Sequence, residues 1–342
     1  MKLLKQDLKY VQVRNDIGEQ SWHVFDQDMI DAVNAALVIN RPLLIWGEPG
    51  IGKSQLARAV AKELKRVFVH FVSDARTESR DLLYHFDAVA RLAEAQLRSH
   101  QGENGQQEKR EEKQTARPAG GHCLADRMAM ENFIVPGCLW WALNWESAKE
   151  QAARSGHEEP VQMEKKCRPE NGVVLLIDEI DKADTDVPNG LLEALGSSRF
   201  HPHGLDQPVE CQKDPRPLVM ITTNEERTLP DAFLRRCLSL HLGFPDGDES
   251  RKAFLVERGV KNHESLARKV VEEAAEFLLE DRRAAKEANR YPLPGQAEFF
   301  DLLRGVQRLS REQGRDPMDY IRKLRKFTYQ KHPDFHRKPG QG

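Results

Sequence analysis

Gly47-Glu48-Pro49-Gly50-Ile51-Gly52-Lys53-Ser54 decides the fold. The apolar run Pro42-Leu43-Leu44-Ile45-Trp46 precedes it and reads as a buried strand, and Gln55 to Leu64 follows with helical spacing. Strand, glycine-rich turn and helix in that order are the setting of a phosphate-binding loop. Gly47, Gly50 and Gly52 leave room for backbone N–H groups to turn inward, so that the whole stretch, Glu48, Pro49 and Ile51 included, wraps a polyphosphate. The helix that follows adds its uncompensated donors and the positive end of its dipole. Lys53 brings a charge to the β- and γ-phosphates, and the Ser54 hydroxyl can take a position on Mg²⁺. An ordinary glycine turn before a helix is the bland alternative. The eight-residue pattern with both flanks is far more specific than such a turn requires.

A second stretch carries the complementary chemistry. Val173-Val174-Leu175-Leu176-Ile177 is a run of five aliphatics, which marks a strand buried on both faces. Asp178 and Glu179 stand at its C-terminal end. Asp178 can hold Mg²⁺ through its water shell, and Glu179 can polarise a water for in-line attack on a γ-phosphate. A third buried strand, Pro217 to Thr223, ends in Asn224, which can hydrogen-bond the γ-phosphate or the attacking water. The segment Leu229 to Cys237 places Arg235 and Arg236 after a short helix.

Composition narrows the classes. The chain has 342 residues with 52 Lys and Arg against 54 Asp and Glu, a net charge of −2. No global basic field points to nucleic acid or to an acidic membrane. Mean hydropathy is −0.66, polar for a folded domain, which predicts exposed loops or tails. The five cysteines form no CxxC pair and no zinc-type cluster, so reduced thiols are expected. The N-terminus has no apolar signal core and no run suffices for a membrane span, which predicts a soluble cytoplasmic protein.

The rest of the chain arranges itself around these landmarks. Residues 1–24 read as an N-terminal arm in which Leu8 to Val13 alternates like an edge strand, and a helix opens after Phe25 with Asp26 or Asp28 as its cap. Arg66 to Val72 is a second strand, and Ser73 to Thr77 is a polar turn in which Ser73 or Asp74 can also face the attacking water. Asp81 to Leu97 reads as one helix with Leu82, Phe86, Val89, Ala93 and Leu97 on one face. Residues 99–121 have almost nothing to bury and are expected to be disordered. Of the adjacent Trp140 and Trp141, one is expected in the core and the other partly exposed. His201 and His203 sit two apart without a third ligand and read as a turn. Beyond Asp246 the strands stop, and helices are expected over 261–289, 298–309 and 316–327, with 330–342 a disordered tail.

With its landmarks in this order, the chain resembles an AAA+ ATPase over about residues 25–310. Within that family it is most similar to the MoxR group, on GEPGIGKS, FIVPGCLWWAL, TTNEERTLPDAFLRRC and a long insert. The resemblance implies an α/β P-loop NTPase fold, a parallel sheet flanked by helices (25–244), followed by a small α-helical lid (245–329). It implies ATP and Mg²⁺ as ligands and a homo-oligomeric ring, commonly a hexamer. Asn224 would take the sensor-1 position, and Arg236, with Arg235 as second choice, would be the arginine finger acting on a neighbour's ATP. It further implies a chaperone-like remodeller paired with a partner carrying a von Willebrand A domain. Two departures stand out. About 125 residues separate Lys53 from Asp178, longer than the family core needs, and the lid arginine expected near Pro294-Gly295-Gln296 is absent, with Gln296 in its place and Arg290 off register. Two other classes stay open: the motor of a restriction or defence system, for which Arg322 to Lys326 is the one basic run, and a nucleotide-gated scaffold in a bacterial conflict system.

Overall fold

In the computed structural model, residues 2–14, 18–104, 129–160, 166–211 and 214–330 are described, with side chains described only to 97 in the second of these segments. Most of the insert expected near 99–121 and nearly all of the expected tail therefore lie outside the described residues.

The N-terminal segment is a hairpin. Strand β1 (Tyr10–Arg14) pairs antiparallel with β2 (Gln20–Val24), with Tyr10 opposite Val24. The alternation from Leu8 onward thus belongs to a paired strand, with Val11 and Val13 buried. Helix α1 (Gln27–Ile39) starts where Asp26 accepts the Met29 N–H at 2.8 Å, the expected cap. Then come β3 (Leu43–Gly47), α2 (Lys53–Leu64) and β4 (Val67–Val72).

The single helix expected over Asp81 to Leu97 is instead three elements: α3 (Ser79–Leu83), β5 (Tyr84–Phe86) and α4 (Ala88–Asn104). Tyr84 to Phe86 leave the helix to pair with β6 (Ile134–Pro136), and that long-range ladder overrides local periodicity. The supposed common face splits accordingly: Leu82 is buried, whereas Val89 and Leu97 are exposed. Next follow α5 (Cys138–Leu143), α6 (Trp145–Arg154), β7 (Val173–Asp178) and α7 (Asp186–Ser197). Both Trp140 and Trp141 are buried, contrary to expectation, because Trp141 packs edge-on against Trp145 with ring centroids 4.8 Å apart. A small ladder of β8 (Arg199–Phe200) and β9 (Val209–Glu210) leads to β10 (Leu218–Thr223), α8 (Asp231–Leu234) and β11 (Leu238–Leu242).

Five parallel strands make the central sheet in the order β11-β3-β10-β7-β4. Their period-two alternation divides two cores. Leu44, Val69, Leu175, Ile177 and Ile221 face α3, α5, α6 and α7, whereas Leu43, Ile45, Leu176, Met220 and Leu240 face α1 and α2. A sheet covered on both faces explains why β7 and β10 read as unbroken apolar runs.

Four helices follow: α9 (Asp248–Asn262), α10 (Arg268–Glu287), α11 (Gln296–Gln313) and α12 (Pro317–Thr328). The helix expected over 261–289 corresponds to α10 and takes in only the last two residues of α9, which the sequence did not foresee. In the structure a break at 263–267 separates α9 from α10, with the His263 N–H on Gly259 O. The four share a third core around Leu255, Val271, Leu278, Phe299, Leu303 and Ile321. Buried Asp281 accepts two bonds from Arg325, at 2.7 and 3.0 Å, and Arg322 pairs with Glu273, so the basic run at 322–326 is partly neutralised within this bundle.

The hairpin touches both parts of the chain. Ser21 Oγ accepts from Gln55 of α2 at 2.7 Å. On the other side the Trp22 N–H donates to Asn262 Oδ1 at 2.7 Å, Asn262 Nδ2 donates back to Trp22 O at 3.0 Å, and Lys261 lies over the Trp22 ring.

Candidate active site

The cleft is built on the C-terminal ends of β3, β7 and β10, where open α/β sheets present their ligand-binding residues. It has a volume of about 350 Å³ and is lined by Gly50, Gly52, Lys53, Ser54, Asp178, Glu179 and Asn224 from the sheet side. Gln296, Ala297, Phe300 and Arg304 of α11 close it from above.

The loop at 47–54 is arranged for an anion. Gly52 precedes α2 with φ 105°, no side chain caps the helix, and its first turn carries no acidic residue. Its leading N–H groups therefore remain open to phosphate oxygens. Lys53 folds back into the loop and donates to Gly47 O at 2.6 Å, Glu48 O at 3.1 Å and Asn224 Oδ1 at 2.6 Å. Burial lowers the Lys53 ammonium below its ordinary range, while Asp178, Asp181 and Glu179 pull the other way. Gly50, at φ 77°, is required twice over: a Cβ there would lie 2.5 Å from Ala297 Cβ of α11.

Asp178 is held by three side chains. Ser54 Oγ donates to its Oδ2 at 2.7 Å, Thr222 Oγ1 donates to its Oδ1, and His70 Nε2 lies 3.2 Å from Oδ2. Arg58, which can only donate, contacts His70 Nδ1 at 3.3 Å, so the proton sits on Nε2 and points at the carboxylate. Burial alone would push the Asp178 carboxyl up, but the bonds from His70, Thr222 and Ser54 outweigh it and hold the group below its usual range. A negative Asp178 beside the Ser54 hydroxyl suits a hard dication that completes its shell with phosphate and water oxygens. Among the described residues no cluster of three or more His, Cys, Asp or Glu forms an all-protein metal cage, at 201–203 or elsewhere. His201 instead lies 2.8 Å from Leu205 O within its turn.

Glu179 follows in a left-handed conformation, φ 57° and ψ 47°, which costs a non-glycine residue about 1–2 kcal/mol. Its N–H donates to Thr222 Oγ1 at 2.9 Å, which holds the turn. Asn224 Nδ2 donates to Glu179 Oε1 at 3.2 Å, and Lys182 donates to Oε2 at 2.6 Å. Buried Asp181 accepts the N–H groups of Asn224 and Glu226 at 3.1 and 2.9 Å and so fixes the loop that presents Asn224.

Other expected residues lie apart. Arg235 and Arg236 are exposed and precede β11, whose first residue Leu238 pairs with Leu43; the phosphate loop begins at the far end of that pairing, where Leu242 meets Gly47. Five residues of strand, on the order of 15 Å, thus separate both arginines from the cleft. Arg290 is not among the lining residues. Asp74 accepts from the Arg76 N–H and Thr77 Oγ1, an Asx-type turn, while the Ser73 N–H donates to Asp178 O at 2.9 Å and its buried hydroxyl has no partner.

Five residues escaped the sequence. His70, Thr222 and Lys182 touch the carboxylates, Asp181 holds the loop that presents Asn224, and Arg304 lines the cleft from the lid side while pairing with Glu19 at 3.3 Å. Asp181 and Lys182 had a signal, since they directly follow Asp178-Glu179-Ile180. His70 had none.

A five-stranded parallel sheet with a glycine-rich loop between β3 and α2 and two acidic residues at the end of β7 defines a P-loop nucleoside triphosphatase fold. The chain belongs to the AAA ATPase domain family, which matches residues 27–204. That match takes in the loop and Asp178-Glu179 but stops short of Asn224, Arg235 and Arg236. No curated protein matches the chain. No helix among the described residues is long and apolar enough to cross a membrane.

Proposed function

We propose that the chain is an oligomeric, Mg²⁺-dependent ATPase of the MoxR-like type that remodels a partner protein. The observation that carries the hydrolytic part is the convergence of Lys53, Ser54, Asp178, Glu179 and Asn224, drawn from three strand ends, on one cleft beneath α11. Lys53 and the open amides of α2 bind the β- and γ-phosphates. Ser54 and Asp178 would hold Mg²⁺, which would supply charge neutralisation for the phosphates. Asn224 orients a water, and Glu179 takes its proton as the oxygen attacks the γ-phosphorus and the bond to the β-phosphate oxygen breaks.

Arg236, with Arg235 as the alternative, serves a neighbouring copy. Both arginines are exposed and a strand length from their own cleft, which favours action in trans and a ring of copies, taken here as a hexamer. A partner with a von Willebrand A domain and a remodelling role follow from the MoxR resemblance. The pairing of Arg322 and Arg325 within the helical bundle weighs against the nucleic-acid motor.

The test is ATP turnover per protomer against protein concentration, for wild type beside Glu179→Gln and Arg236→Ala. Turnover rises with concentration as copies assemble, and each substitution lowers it at least a hundredfold. Mixing the two inactive variants restores part of the rate. A concentration-independent rate that Arg236→Ala leaves alone removes the trans finger; absence of turnover at every concentration removes the ATPase.

A further inference from the structure

The candidate base Glu179 is held on both of its oxygens, and the two holds differ in kind. Oε1 takes the Asn224 amide at 3.2 Å, and Asn224 Oδ1 in turn accepts from Lys53 at 2.6 Å. That hold is tied to nucleotide. Phosphate oxygens in the cleft would compete for Lys53 and so loosen its bond to Asn224. Oε2 takes the Lys182 ammonium at 2.6 Å. Lys182 closes the 3₁₀ turn Ile180–Lys182, three residues after Glu179, and does not line the cleft. Its side chain is 40 % exposed, so its head is reachable from outside whatever the cleft contains. Asp181 and Glu226 are the other acidic groups near it, and neither replaces Glu179 as its hydrogen-bond partner.

The backbone makes this hold specific. Left-handed geometry at Glu179 and its N–H bond to Thr222 fix where the side chain starts. Buried Ile180 pins the turn, and Arg227 donates to Ala183 O just beyond it at 3.2 Å. The lysine and glutamate therefore face each other across one short turn rather than by chance approach of two mobile chains. A carboxylate that must receive a proton from water needs an oxygen turned to that water, and an ammonium at 2.6 Å competes for it.

We propose that Lys182 is a positioning residue that restrains Glu179 away from the attacking water, so that this chain turns over below the rate its catalytic groups allow. The proposal rests on the ATP hydrolysis proposed above. Because the pair is partly exposed, the restraint is modest and reversible. Its release is worth about fivefold in rate, the factor that corresponds to a hydrogen-bonded exposed ion pair. An acidic side chain offered from an adjoining protein surface would draw Lys182 off and raise turnover without touching the nucleotide.

The experiment compares wild type, Lys182→Met and Lys182→Arg in the assembled full-length protein, with kcat and KM for ATP and the melting temperature for each. The expected result is kcat up about fivefold in Lys182→Met with KM unchanged, and kcat near the wild-type value in Lys182→Arg, whose guanidinium restores the ion pair. Loss of a merely structural contact would lower the melting temperature and would not raise kcat. The proposal falls if Lys182→Met turns over at or below the wild-type rate, or if Lys182→Arg rises as Lys182→Met does. Absence of turnover in all three overturns ATP hydrolysis itself, which separates that failure from failure of the restraint alone.

Discussion

His23 shows how one side chain can set the acid limit of the whole chain. It is buried on β2 against Phe25, its Nε2 has no partner, and burial, aided by the charge of Arg258, pushes the imidazole down to about 3 from 6.5. The folded chain keeps it neutral, while the unfolded chain takes up a proton as the pH falls through 6.5. Its contribution is therefore complete above that value and declines towards pH 3. Between pH 7 and pH 5 the decline amounts to about 2 kcal/mol. His23→Leu is expected to flatten stability over that interval relative to wild type, as measured by denaturant unfolding at both pH values. An unchanged slope would mean that His23 is protonated in the folded chain. At this scale legibility follows spacing. Lys53, Ser54, Asp178 and Glu179 were readable because their chemistry sits in short contiguous patterns. His70 was not, because it meets Asp178 only through the pairing of β4 with β7, 108 residues away.

Elements were legible where one covering face or two determined the pattern. The strands β3, β7 and β10 announced themselves as apolar runs, and α1 by its cap and stripe. Expectation failed at Tyr84 to Phe86, where pairing with Ile134 to Pro136 competes with helix continuation and wins. What permits that pairing is Gly137, whose added Cβ would stand 2.6 Å from both Asp81 O and Leu82 O. Gly137→Ala must push α5 off the end of α3, and α5 carries the buried Trp140 and Trp141. We expect a loss of about 1–3 kcal/mol, the usual cost of overpacking. A melting temperature lower by several degrees would report it, and an unchanged one would mean that α3 yields without strain.

At the scale of the molecule, the helices α9 to α12 meet the sheet side across the cleft. Gln296 Nε2 donates to Ile51 O at 3.2 Å, Arg282 pairs with Glu48 of the phosphate loop, and α11 lies on Gly50. The N-terminal hairpin adds a second link, through Trp22 and Asn262, on the same side as the Arg304–Glu19 pair. The sequence marked the place of Gln296 on the lid side, but the hairpin link was not legible, since residues 20–22 and 262 attract each other only after two separate cores have formed. Asn262→Ala removes both bonds to the Trp22 backbone while leaving the loop intact. Its expected effect is ATP binding weaker by about three- to tenfold, the value of one or two hydrogen bonds, in an equilibrium titration with a fluorescent nucleotide. Unchanged affinity would mean that the hairpin follows the bundle passively.

The double attachment also has a mechanical meaning. A body fastened at one joint swings with little resistance, whereas a body fastened at two joints that are not collinear is braced. The chain crosses from β11 to α9 at one place and is tied back by the hairpin at another. Small swings of α11 over the phosphate loop are then stiff, and a large swing requires the brace to unlatch. Any displacement of α11 over the phosphate loop must therefore strain the Trp22–Asn262 contacts as well as the crossing from β11 to α9.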